Sequence, residues 1–67
     1  MIGKRLKELR VEFGLTQAKV GEAICVSEPT ISLWESNKRE PNIAMLTKLC
    51  DFYNVSADYL IGRVDFY

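Results

Sequence analysis

Two helical patterns stand almost end to end within residues 15–41, LTQAKVGEAICVSEPTISLWESNKREP. One covers 16–23 and the other 27–35, with only about three residues between them. A connection that short does not let the second helix fold back antiparallel to the first, so the second must leave at a steep angle. The chain is thereby committed to an all-α body in which one short helix stands apart from its neighbours.

The flanking residues extend this pattern in both directions. Ile2, Leu6, Leu9 and Phe13 recur at helical spacing and draw one apolar stripe over residues 2–13. Gly14 ends that helix as a left-handed cap. Thr16 caps the next one through its hydroxyl, weakly, because Lys19 stands where a capping box wants Glu or Gln. Val20 and Ile24 face the core, and Gly21 marks a close helix crossing, since glycine inside a helix otherwise costs about 1 kcal/mol. Ser27 is the natural cap of the following helix. Pro29 then falls in its first turn, where the missing N–H is no loss, and so fixes where the helix begins.

Ile31 and Trp34 form the buried side of that helix, Asn37 suits a left-handed exit, and Pro41-Asn42 stops one segment and caps the next. Ile43, Leu46, Leu49, Cys50 and Tyr53 mark a fourth helix, ended by Asn54. Ser56 caps a short fifth helix containing Tyr59 and Leu60, and Gly62 closes it. The expected architecture is a bundle of five short helices with no internal repeat or linker.

Sixty-seven residues, 48% of them apolar, suffice for one small core. A chain of this length buries only about 60% of its unfolded surface, so dimerisation would add stability. No apolar run approaches the ~18 residues needed to span a bilayer, and residues 1–10 lack a signal peptide's apolar stretch; a soluble, cytoplasmic protein is expected. Cys25 and Cys50 are the only cysteines and there is no histidine, so a structural zinc site lacks its four ligands. Reduced small hydrophobes are the expectation for both, with a disulfide as the alternative. Without histidine, a metal cluster, a phosphate-cradling glycine loop or a nucleophile beside a base, the chain reads as neither an enzyme nor a cofactor carrier.

Charge divides the evidence. Nine basic and nine acidic residues cancel, which counts against nucleic-acid binding if they are evenly spread. They are not. Lys4, Arg5, Lys7, Arg10 and Lys19 lie early, Lys38 and Arg39 just past the second motif helix, and Asp51, Asp58 and Asp65 in the last third.

In their order, Leu15-Thr16-Gln17, Gly21, Val26-Ser27, Ile31-Ser32, Trp34-Glu35, Lys38-Arg39 and Pro41 resemble the XRE-type helix-turn-helix family of Cro and phage repressors. The resemblance runs over about residues 2–62 and includes Val55-Ser56, Asp58-Tyr59-Leu60 and Gly62. It implies a five-helix lambda-repressor-like DNA-binding domain, with the helix-turn-helix at about 16–35 and a tail at 63–67. It also implies a sequence-specific transcriptional regulator, a repressor, acting on double-stranded DNA.

On that resemblance the second motif helix is the recognition helix. Ser27, Glu28, Pro29, Ser32 and Leu33 project away from Ile31 and Trp34 and are the base-reading candidates. Relatives often carry amides or arginines at the positions of Glu28, Pro29 and Leu33. Here Glu28 could accept from a cytosine amino group, Ser32 could bond several bases and Leu33 could touch a thymine methyl; a solvated helix face with a capping acid is the alternative. Phosphate contacts carry over to Gln17, at the start of the first motif helix, and to Ser36, Lys38 and Arg39 in the loop that relatives lay along the backbone. For Lys38-Arg39 the alternative is an ordinary charged loop.

Arg10 and Glu35 sit where relatives form a partly buried ion pair; as two surface charges they would be worth only about 0–1 kcal/mol. Cys25 stands where relatives place a glycine with positive φ. A non-glycine residue there costs roughly 1–2 kcal/mol, so the turn is either strained or different.

One copy offers too few contacts for operator affinities of about 10⁻⁸–10⁻¹¹ M. A homodimer on a pseudo-palindromic site, with half-sites one helical turn apart, is therefore expected. Tyr59, Ile61, Phe66 and Tyr67 are the candidate dimer interface, against the alternative that the tail folds back on the core. The remaining residues leave no room for a ligand-sensing domain. A second reading, from another class, is a protein-binding module recognised by an antirepressor or a toxin. Zero net charge, acidic Glu28 and apolar Leu33 favour it, and salt dependence separates the two.

Overall fold

The computed structural model describes residues 2–66. It is all-α, with α1 at Ile2–Glu12, α2 at Gln17–Ile24, α3 at Glu28–Glu35, α4 at Ile43–Tyr53 and α5 at Ala57–Leu60. Among the described residues there is no strand.

Local chemistry sets most of the boundaries. Thr16, Ser27, Asn42 and Ser56 each turn a side-chain oxygen onto the backbone N–H three residues on, satisfying one of the donors a helix start leaves open. Gly14 at φ 70° and Gly62 at φ 86° turn the chain left-handed after α1 and α5. Asn37 and Asn54 do the same at φ 61° and 57°. Cys25 is the costly member of the set, at φ 65° and ψ 42°.

Leu6 and Leu9 from α1, Val20 and Ile24 from α2, Ile31 and Trp34 from α3, Leu49 and Tyr53 from α4, and Val55 with Leu60 make the core. α3 packs on both α1 and α2, while α5 closes against α4 and α1. Three expectations need correction. α1 ends at Glu12, so Phe13 leaves the stripe at the rim of the core, 47% exposed, its ring edge-on to Tyr53 at 5.3 Å. Ile43 is 83% exposed, because the first residue of α4 lies about 120° around the helix from Leu49. Gly21 is crowded most by the turn: a Cβ there would stand 2.6 Å from the carbonyl oxygen of Val26, against 3.5 Å from the Glu28 nitrogen where α3 begins.

The close helix approach is instead at Gly3. A Cβ on this residue would meet the carbonyl oxygens of Glu35 and Trp34 at 2.5 and 2.6 Å. Its N–H donates to Asn37 Oδ1 at 3.0 Å, which ties the start of α1 to the end of α3.

Cys25 is exposed, Cys50 is half-buried, and both are free thiols. Burial pushes the Cys50 thiol up, with Asp51 adding to the shift. Among the described residues no group of three or more His, Cys, Asp or Glu could hold a metal ion. No described helix is long and apolar enough to cross a membrane.

Candidate nucleic-acid interface

The α2–α3 connection is tight because its backbone bonds back onto α2. The N–H groups of Cys25 and Val26 both reach the Gly21 carbonyl, the latter at 2.8 Å, over a position where a side chain would not fit. Ser27 then starts α3, accepting the Thr30 N–H and lying 2.8 Å from the Thr30 hydroxyl. Ser27 is thus engaged in the cap, so of the base-reading candidates it is the one whose polar atom is already used.

Three of the remaining four lie open. Ile31 and Trp34 are buried, while Glu28, Pro29 and Ser32 on the far side are exposed. Leu33 is half-buried yet is not among the residues packed against the core. Residues 64 and 65 lie away from this face, held at α1 by Arg5.

Behind the face lies a charge cluster. Arg10 meets Glu35 through two contacts, Nε to Oε2 at 2.7 Å and Nη2 to Oε1 at 3.1 Å, with side chains only 14% and 5% exposed. Arg10 Nη1 also donates to the Leu15 carbonyl at 2.9 Å, and the Gln17 amide donates to Glu35 Oε1 at 3.2 Å. One carboxylate therefore joins α1, α2 and α3, and its arginine reaches the loop after α1. The hydrogen bond to Glu35 holds the Arg10 guanidinium above its ordinary value. Tyr53 is pushed up to about 12, first by burial and then by the Glu35 charge, against a smaller opposing effect of Arg10.

In front of this cluster is a polar recess of about 270 Å³, lined by Lys7, Arg10, Gln17, Ser32, Glu35 and Ser36. Its composition suits an anion: an exposed ammonium, two hydroxyls, an amide, and a carboxylate already neutralised by its arginine. Lys7 was not singled out from the sequence. The available signal was its position three residues before Arg10, on the same helical face. One amide hydrogen of Gln17 is engaged with Glu35, so this expected phosphate ligand is positioned by the ion pair.

Ser36, Lys38 and Arg39 are exposed just past α3. Three donors converge on the Leu33 carbonyl there: the N–H of Lys38 at 3.0 Å, that of Arg39 at 3.3 Å and the Ser36 hydroxyl at 3.2 Å. The loop is thereby fastened to the end of α3.

The first residues of the tail lie against α1. Arg5 lies 4.3 Å over the Tyr59 ring, donates to the carbonyls of Tyr59 and Val64, and pairs with Asp65 at 3.0 Å. The tail thus folds back as far as Asp65, one guanidinium satisfying several acceptors at once. Tyr59 is half-buried, Ile61 and Phe66 remain exposed, and Tyr67 lies outside the described residues.

Comparison with known proteins matches residues 6–60 to the family model described as "Helix-turn-helix". The HTH-type transcriptional regulator ImmR of Bacillus subtilis is 42% identical over 92% of this chain and 49% of its own length. The chain thus spans about half the length of this curated relative. Among solved structures, the P22 c2 repressor in complex with a synthetic operator superposes with a TM-score of 0.86 at 35% identity, covering 90% of this chain and 91% of that one. SinR, the master regulator for biofilm formation, in complex with DNA gives 0.83 at 32%, covering 91% and 98%.

Proposed function

Because the chain belongs to the helix-turn-helix family, we propose that it is a sequence-specific DNA-binding transcriptional regulator, a repressor, that binds a pseudo-palindromic operator as a homodimer in the cytoplasm. The observation that carries this reading is the outer face of α3, open at Glu28, Pro29 and Ser32 while Ile31 and Trp34 anchor the helix from behind. A helix presented in this way fits the major groove.

Glu28, Pro29, Ser32 and Leu33 contact base edges. Gln17, Ser36, Lys38 and Arg39 contact phosphates, joined by Lys7 across the polar recess. Phosphate contacts set register and most of the affinity. Dimerisation doubles those contacts. Ile61 and Phe66 remain exposed for it, and Ile61 borders a mixed groove lined by Ile2, Asn37, Glu40, Pro41 and Leu46.

Selection of bound sequences from random duplex DNA tests the reading. An inverted repeat with half-sites about one helical turn apart is expected; failure to enrich any sequence would overturn it. Acidic Glu28, which has no ion-pair partner among the described residues, favours a second reading, a protein-binding module engaged by an antirepressor or a toxin. A DNA-binding dimer with about six phosphate contacts loses affinity with salt at a slope near −0.9 per contact, whereas a flat dependence favours the protein partner.

A further inference from the structure

The four outward residues of α3 form two columns. Positions four apart on a helix lie on one face, about 6 Å along the axis. Glu28 and Ser32 make a polar column, and Pro29 and Leu33 make an apolar column beside it. Pro29 has neither a side-chain donor nor a backbone N–H. Leu33 sits on the outward side without packing against the core.

Equally informative is what α3 does not carry. Its sequence, EPTISLWE, holds no Arg, Lys, Asn or Gln. The usual bidentate contacts to guanine O6 and N7, or to adenine N6 and N7, are therefore unavailable from this helix. Two features of the major groove remain that match its side chains: the 5-methyl group of thymine, which is apolar, and the 4-amino group of cytosine, which donates to a carboxylate.

Resting on the DNA-binding reading above, we infer that α3 selects its half-site by pyrimidine substituents. Pro29 and Leu33 receive thymine methyl groups, and Glu28 accepts from a cytosine amino group. Glu28 also excludes. Its charge meets only acceptors on the major-groove edge of guanine, so a guanine at that position is disfavoured by repulsion as well as by a missing hydrogen bond. Among the described residues no cation is paired with Glu28 to blunt this effect.

Altering the DNA tests this without disturbing the fold. In the duplex recovered by selection, each thymine of the half-site is replaced singly by 2′-deoxyuridine, which pairs identically but lacks the methyl group. Two positions should lose affinity by about three- to tenfold, the worth of one methyl removed from water. That loss should vanish at one position in Leu33→Ala and at the other in Pro29→Ala. Glu28→Gln should move the preference at its own position from cytosine to adenine. A recovered operator whose affinity ignores every deoxyuridine overturns the inference while leaving DNA binding intact. No recovered operator overturns both.

Discussion

Gly3 and Glu35 meet through their backbones: a Cβ on Gly3 would stand 2.5 Å from the Glu35 carbonyl oxygen. α1 can therefore lie directly on the last turn of α3. Gly3→Ala should force the two helices apart and strain the Gly3–Asn37 hydrogen bond, at a cost of about 1–3 kcal/mol. Urea denaturation measures this, and a variant as stable as the parent would show that the crossing has slack.

Removing Arg10 leaves Glu35 as a nearly buried, uncompensated carboxylate. Arg10→Met should cost about 3–5 kcal/mol, close to the whole stability of a small domain. The double variant Arg10→Met with Glu35→Leu should recover most of the loss, since no lone charge remains. Equal instability of the single and double variants would assign the effect to packing instead.

Cys25→Gly should stabilise the protein. Cys25 is exposed, so little packing is lost, and glycine removes a left-handed strain of roughly 1–2 kcal/mol. Each kcal/mol corresponds to a rise of about 4–8 °C in melting temperature for a domain of this size. An unchanged or lower value would contradict strain at this turn.

Alkaline pH should unfold the protein through Tyr53. Its folded-state value of about 12 lies above the ordinary 10 that the unfolded chain regains. Below pH 10 both states hold the proton; above it the unfolded state releases first, so stability falls as pH rises from 10 to 12. The loss approaches ~2–3 kcal/mol. Tyr53→Phe should flatten this part of the stability profile, and a profile of unchanged steepness would exclude Tyr53 as its source.

Lys7→Gln should reduce the salt dependence of DNA affinity by about 0.9 per bound subunit. Because Lys7 is exposed, the melting temperature should not move. An unaltered slope would remove Lys7 from the phosphate contacts.

The elements were legible in the sequence wherever a single residue's local chemistry decides the backbone. Thr16, Ser27, Asn42 and Ser56 start helices because their side chains reach an N–H three residues away. Gly14, Asn37, Asn54 and Gly62 turn left-handed because little opposes it there. Periodicity failed at helix ends, where Phe13 and Ile43 keep the spacing of a stripe but run past the core.

Contacts between distant segments were harder to read. Gly3 gains its meaning only when Trp34 and Glu35 arrive above it, and Arg5 only when residues 59–65 return to α1. In the candidate interface, the outward residues of α3 followed from helical phase. The recess that brings Lys7 beside Ser32 and Ser36 depends on how α1 and α3 cross, which no local pattern encodes.

Glu35 accepts from Arg10 and Gln17 together, and Arg10 reaches on to Leu15. The three recess walls made by Arg10, Gln17 and Glu35 are consequently coupled to one another. Tilting α3 to accommodate a mismatched base pair should break the contacts of Glu35 with Arg10 and Gln17 together. Discrimination should therefore be sharp, with a wrong half-site released quickly instead of being held in a distorted pose.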